Sequence, residues 1–238
     1  VSAVWVGGSV RLTIAARRSD LARIQARMVA GALLAKFPGL EIEFHFRESL
    51  GDQNQSQPLW QMPEKGVFTE DLRGELIAGR TDLVVHSWKD LPIENGPETA
   101  VVATLPRADA RDLLLVREDR WPAIAASGTI RLLTSSPRRI RNLALFLAEA
   151  LPGDISKIEF LAVRGNMQTR IGKMWQKDES GATPDGLILA KAALDRLLEA
   201  EGEEFVETRT RLREALGQCR WMVLPLSANP GEIGRAHV

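Results

Sequence analysis

The chain's 238 residues, 45% of them hydrophobic, suggest two domains at about 100–150 residues each, both large enough to bury a core. Thirty-one lysines and arginines balance 31 aspartates and glutamates, which argues against a general nucleic-acid binder, and no apolar stretch reaches the ~20 residues of a membrane span. The single cysteine, Cys219, excludes an intrachain disulfide, and no secretory leader opens the sequence, so the expected compartment is the cytoplasm.

Taken in order, the chain alternates short β-branched or leucine-rich runs with longer helical stretches, the pattern of an α/β protein. Arg11 to Ala15 reads as the first strand. Ser19 or Asp20 then caps a helix with apolar residues Leu21, Ile24, Met28 and Leu34, ended by Pro38. Ile42, Phe44 and Phe46 alternate with polar neighbours as a second strand, and the Gln- and Asn-rich stretch from Gly51 to Glu64 reads as a loop. A helix from about Thr69 to Ala78 stops at Gly79, and Leu83 to Val85 form a compact strand. After a polar linker around Arg107–Arg111, strands are expected near Asp112–Val116, Ile130–Thr134, Ile158–Val163 and Leu187–Ala190. Helices near Pro137–Leu151, Asn166–Gln176 and Lys191–Ala200 follow the last three, then a helix from Val206 to Leu216 and a strand from Met222 to Leu226. There is no internal repeat.

Ligands of open α/β sheets bind outside the carboxyl ends of strands, where loops meet helix starts. Here those positions are unusually basic. Arg17, Arg18 and Ser19 follow the first strand; Ser87, Lys89 and Asp90 follow Leu83–Val85. Thr134, Ser135, Ser136, Pro137, Arg138 and Arg139 follow the next candidate, and Arg164, Gly165, Asn166 and Arg170 the one after. Ser136 suits the N-cap and Pro137 the first helical position. Two arginines in that first turn face the positive end of the helix dipole, unfavourable by about 0.3–1 kcal/mol each when exposed. Either they point into solvent, or they join free N–H groups and hydroxyls in an anion site. The repetition at Arg164-Gly165-Asn166 favours a ligand bearing several carboxylates or phosphates. Asp90, an acid among cations, is either half of a Lys89–Asp90 surface pair or a carboxylate that stabilises a cationic intermediate or orients substrate N–H groups.

These residues fall in motifs that resemble those of the porphobilinogen deaminase (hydroxymethylbilane synthase) family. Val85-His86-Ser87-Trp88-Lys89-Asp90-Leu91-Pro92 is similar to its catalytic aspartate motif, and Ala15-Ala16-Arg17-Arg18-Ser19-Asp20-Leu21-Ala22, with Gln25, to its N-terminal substrate-binding motif. Lys65-Gly66-Val67-Phe68, Thr134 to Arg139, Arg164 to Arg170 and Leu189 to Arg196 complete six motifs in family order. The resemblance implies two α/β domains of the type-II periplasmic-binding-protein kind, with mixed sheets and an interdomain cleft. Domain 1 would span 1–107 plus a return segment at 219–238, and domain 2 residues 108–218.

The resemblance further implies a transferase of tetrapyrrole (haem) biosynthesis that joins four porphobilinogen units to hydroxymethylbilane, releasing ammonia each time. Growth in that family starts from a dipyrromethane cofactor held by a cysteine. Asp90 would be catalytic, contacting pyrrole N–H groups and stabilising an azafulvene cation. Arg17, Ser19, Lys65, Lys89, Arg138, Arg139, Arg164, Arg170 and Arg196 would bind the carboxylates of cofactor and substrate; Ser87, Thr134 and Ser135 would add hydrogen bonds, with Gly165 and Asn166 shaping the last loop. The implied partners are small polycarboxylate pyrroles, not nucleic acid or membrane, and the implied state is a monomer. The family's third, cofactor-anchoring domain has no counterpart in these residues, and Cys219 matches no cofactor position. Covalent attachment therefore lacks an evident anchor, and the expectation for this exact chain is weak or absent turnover. The alternatives are a noncatalytic carboxylate- or pyrrole-binding protein and a small-anion receptor of the same fold.

Other features carry less. His45, His86 and His237 lack metal-ligand spacing, so no metal site is expected. Gly7-Gly8 lacks the lysine and hydroxyl residue of a phosphate loop. His86 reads as a structural hydrogen-bonding residue, and Cys219 as a small semi-buried one.

Overall fold

A computed structural model describes residues 10–48, 69–92, 96–177 and 181–229. The loop expected at Gly51–Glu64, the Lys65–Phe68 motif, Gly7-Gly8 and His237 lie outside the described residues. The chain divides into two compact units, one through Pro106 and one from Arg107.

The first unit begins with β1 (Val10–Arg17), α1 (Asp20–Lys36) and β2 (Leu40–Arg47), followed by α2 (Glu70–Ile77) and β3 (Leu83–Val84). Its sheet has the order β2-β1-β3, and both pairings are parallel. The central strand of a covered parallel sheet is apolar on both faces; accordingly Ile14, Ala15 and Ala16 are fully buried. Ile24, Ala26 and Ala30 form the buried face of α1, with Val29 and Leu33 beside them. Met28 and Leu34, expected in that stripe, are exposed, the buried face being carried by the alanines with Ile24, Val29 and Leu33. Phe44 and Phe46 of β2 stack at 5.4 Å between ring centroids and pack against this core.

The second unit contains β4 (Asp112–Arg117), α3 (Trp121–Ser127), β5 (Thr129–Leu133), α4 (Pro137–Ala150), β6 (Lys157–Leu161), α5 (Met167–Gly172), β7 (Gly186–Ala190), α6 (Lys191–Glu199), α7 (Val206–Gly217) and β8 (Cys219–Val223). The sheet order is β6-β5-β7-β4-β8. β5 is parallel to β6 and β7, while β4 runs antiparallel to both β7 and β8, so the sheet is mixed. Ile130, Leu132, Leu143, Leu147, Ile188 and Leu224 lie at its core.

Three expectations change. Sequence pattern gives no helix at Trp121–Ser127, although Pro122 in the first turn and Gly128 in the left-handed conformation at the end (φ 62°) are its start and stop signals. The last strand is Cys219–Val223 rather than Met222–Leu226, because Pro225 has no N–H to give to a ladder. The segment expected to return to the first domain instead belongs to the second unit as far as Asn229. There β8 pairs with β4 from Val223 opposite Leu113 to Cys219 opposite Arg117, and Leu224 is buried in the second core.

Candidate functional site

In the first unit, parallel pairing brings the carboxyl ends of β1 and β3 to one edge. Val85 N–H donates to the Ala15 carbonyl at 2.9 Å, extending the alignment beyond β3. The chain then turns through a 3-10 helix at Trp88–Asp90. This places Asp90 Oδ2 3.6 Å from Arg17 Nη1, with both side chains about four-fifths buried (18% and 20% exposed). Arg17, Ser19, Gln25, His86, Ser87, Lys89 and Asp90 line a single pocket together with Leu21, Ala22 and Val85. Five residues singled out in the sequence thus meet there: Arg17, Ser19, Ser87, Lys89 and Asp90.

The pocket's polar groups are set by their supports. Ser19 is in N-cap conformation for α1, yet its hydroxyl makes no capping bond to the helix. Ser87 Oγ donates to Gln25 Oε1 at 3.0 Å, and Gln25 itself is buried. Burial, opposed by the nearby Asp90 carboxylate and assisted by the Arg17 charge, lowers His86 to about 4. His86 is therefore a neutral imidazole at physiological pH rather than a resident cation.

In the second unit the basic residues gather at the carboxyl ends of β5 and β6. Ser136 caps α4 by accepting from Arg139 N–H at 3.4 Å, and Asn166 caps α5 by accepting from Thr169 N–H at 2.9 Å. Gly165 has φ 110°, and a Cβ there would stand 2.6 Å from the Thr169 side chain. Only glycine suits this turn. The two loops are tied together by Ser135, whose hydroxyl donates to the Val163 carbonyl at 2.5 Å and accepts from Val163 N–H at 2.8 Å. Thr134 is buried and accepts from Ser136 N–H at 3.3 Å. Thr134 and Ser135, implied as ligand contacts, thus have intramolecular work in shaping the loops.

Arg170 is half-buried, and its Nε donates to the Gly165 carbonyl at 2.8 Å. Burial first, then the positive charges of Arg139 and Arg164, disfavour its own charge. Arg170 therefore lies close enough to Arg139 and Arg164 to feel their charge. Arg138 precedes Arg139 in the first turn of α4. Arg196, on α6, is half-buried and its charge is disfavoured by burial alone.

Sequence reasoning missed Asp112. Its buried carboxylate accepts from Arg139 Nη2 at 2.5 Å and Nε at 2.9 Å, a two-pronged ion pair. Because β4 is antiparallel to β7, Asp112 at the start of β4 lies opposite Ala190 at the end of β7 and reaches the same edge as the basic loops. Cys219 lies opposite Arg117, at the other end of β4, roughly 17 Å away for five residues of strand. Burial raises its thiol to about 11. Lys65 lies outside the described residues. Among the described residues, no cluster of three or more His, Cys, Asp or Glu could hold a metal, and no helix is long and apolar enough to cross a membrane.

The fold and these loops define a class: α/β units whose strand-end turns concentrate positive charge, one of them around a single carboxylate. The family model described as "Porphobilinogen deaminase, dipyromethane cofactor binding domain" matches residues 12–226, and the chain belongs to the porphobilinogen deaminase family. It is 38% identical over 190 residues to the porphobilinogen deaminase of Acidothermus cellulolyticus, covering 80% of this chain and 53% of that protein. With the porphobilinogen deaminase of Roseiflexus sp. (strain RS-1) it shares 36% identity over 208 residues, covering 87% of this chain and 64% of the relative. The chain thus spans little more than half the length of relatives it matches. Among solved structures, HinK, a LysR family transcriptional regulator from Pseudomonas aeruginosa, overlaps with a TM-score of 0.38 at 14% identity, over 93% of this chain and 60% of that one.

Proposed function

We propose that this chain carries the chemistry of its family, with turnover weakened because its single cysteine does not suit the cofactor: head-to-tail joining of porphobilinogen to hydroxymethylbilane, with loss of ammonia at each step, as a cytoplasmic monomer acting on polycarboxylate pyrroles. The observation that carries this is the half-enclosed Arg17–Asp90 pair, a carboxylate held at a strand end inside a pocket with Lys89, Ser87 and Ser19. In each round the substrate's C–N bond breaks, ammonia departs and a resonance-stabilised azafulvene cation remains. A pyrrole carbon of the neighbouring ring attacks, a C–C bond forms, and that carbon releases its proton. Asp90 is the residue suited to stabilise the cation and accept hydrogen bonds from pyrrole N–H groups; a preorganised charge of this kind is a large catalytic contribution. Arg17 and Lys89 balance that carboxylate and receive substrate carboxylates.

The donor set of the second unit fits a dipyrromethane. Arg138, Arg139, Arg164, Arg170 and Arg196 would hold its acetate and propionate arms; an anion there would relieve Arg170, whose charge burial and the nearby Arg139 and Arg164 disfavour. When bound, the cofactor supplies the pyrrole end from which the chain grows. Cys219 does not fit as its tether, being protonated and at the opposite end of β4. That position favours a second reading, reversible pyrrole binding without turnover. The test is to incubate the purified chain with porphobilinogen, following binding by calorimetry and ammonia release by a coupled assay. Ammonia release that Asp90→Asn abolishes, with binding largely kept, supports the enzyme; binding without ammonia release supports the second reading; no binding defeats both.

A further inference from the structure

Four side chains at the edge of the second sheet form a hydrogen-bonded chain whose two ends stand on one helix. Arg139 donates two N–H groups to Asp112; Asn229 Nδ2 donates to Asp112 Oδ2 at 2.9 Å; Asn142 Nδ2 donates to Asn229 Oδ1 at 2.7 Å. Asn142 lies one turn beyond Arg139 on α4. Asp112 and Asn229 are both buried. A third Arg139 N–H, on Nη1, reaches the Ile188 carbonyl at 3.4 Å, so three of the five guanidinium donors are fixed by protein and two remain, one on each terminal nitrogen.

We infer that Asp112 and Asn229 are positioning residues: they fix the direction of those remaining N–H groups, and through Asn229 they couple carboxylate binding at the start of α4 to the segment that follows β8. The physical reasoning is geometric. A lone carboxylate can pair with a guanidinium along several edges. Asn229 occupies one lone pair of Asp112 and is itself oriented by Asn142, which leaves a single edge for Arg139. A buried charge pair held this way is costly to disturb from either side. The inference rests on the proposed function in one respect, that Arg139 receives a pyrrole carboxylate.

Calorimetry with porphobilinogen on Arg139→Ala, Asn229→Ala and the double variant tests it. Asn229→Ala is expected to bind about tenfold more weakly, the scale of one hydrogen bond. The double variant should bind no more weakly than Arg139→Ala alone, because Asn229 acts through Arg139. Additive losses, or unchanged affinity in Asn229→Ala, would overturn the inference. If Asn229→Ala does not fold, Asn142→Ala removes the outer bond and takes its place in the same cycle. If the unaltered chain binds no porphobilinogen, the proposed function fails, and the hydrogen-bonded series is judged separately by solvent exchange of the Arg139 Nε–H proton in NMR. Slow exchange that accelerates in Asn229→Ala upholds the positioning role; equal exchange in both proteins sinks it.

Discussion

His86 is inserted between buried Val85 and the charged turn that carries Asp90, and its imidazole is held neutral down to about pH 4. In the unfolded chain it takes up a proton near 6.5. Between those values the unfolded state binds more protons, so folding stability falls as the pH drops from about 6.5 to about 4 and levels off below both. Melting temperatures measured across that window should show a smaller acid-induced drop in His86→Gln than in the unaltered protein; parallel curves would contradict the assignment. Cys219 illustrates the opposite case. Its thiol, raised to about 11, holds little reactive thiolate at neutral pH. Mass spectrometry after incubation with porphobilinogen is expected to show no adduct on Cys219, and Cys219→Ser should bind the ligand as well as the original.

At the scale of elements, the second basic cluster exists because two short strand-to-helix turns repeat one design. Each ends a parallel strand, caps the next helix with a side chain, and sends arginines from the first turn or two toward the edge. Loss of a cap costs about 1 kcal/mol, so Ser136→Ala and Asn166→Ala should each lower urea-unfolding stability by that order. Gly165→Ala should cost more than either, since it combines φ 110° with a Cβ driven into Thr169. These turns were legible beforehand because Ser-Pro and Gly-Asn are local signals. Asp112 was not, because nothing near it in sequence reveals that its strand runs antiparallel to β7. The same blindness hid Asn229, whose partners lie 87 and 117 residues away.

For the molecule as a whole, the two units have separate cores, one built on Ile14, Ala16 and Ala26 and the other on Leu132, Leu143 and Leu147. Leu147 is fully buried, and Leu147→Ala should cost about 2–5 kcal/mol. Native-state hydrogen exchange should locate that loss in the strands of 112–223, with protection in 10–47 unchanged; equal loss in both would mean that the cores unfold as one. The structure also recasts the charge balance. A net charge of zero is compatible with an anion site because Arg138, Arg139, Arg164 and Arg170 gather near the carboxyl ends of β5 and β6 while carboxylates elsewhere balance the sum.

By itself the sequence determined the α/β class, nearly every strand and helix of the described residues, the family, and the placing of Arg17 and Ser19, and of Ser87, Lys89 and Asp90, at the ends of two strands. Those follow from hydrophobic period, capping residues and motifs, all of which act over a few residues. Tertiary structure alone decided that β4 runs against β7, that β8 stays in the second sheet, and that Arg139 leans on Asp112 and Asn229. Strand direction and side-chain pairing depend on which distant segments bury each other, a long-range choice that local pattern does not encode.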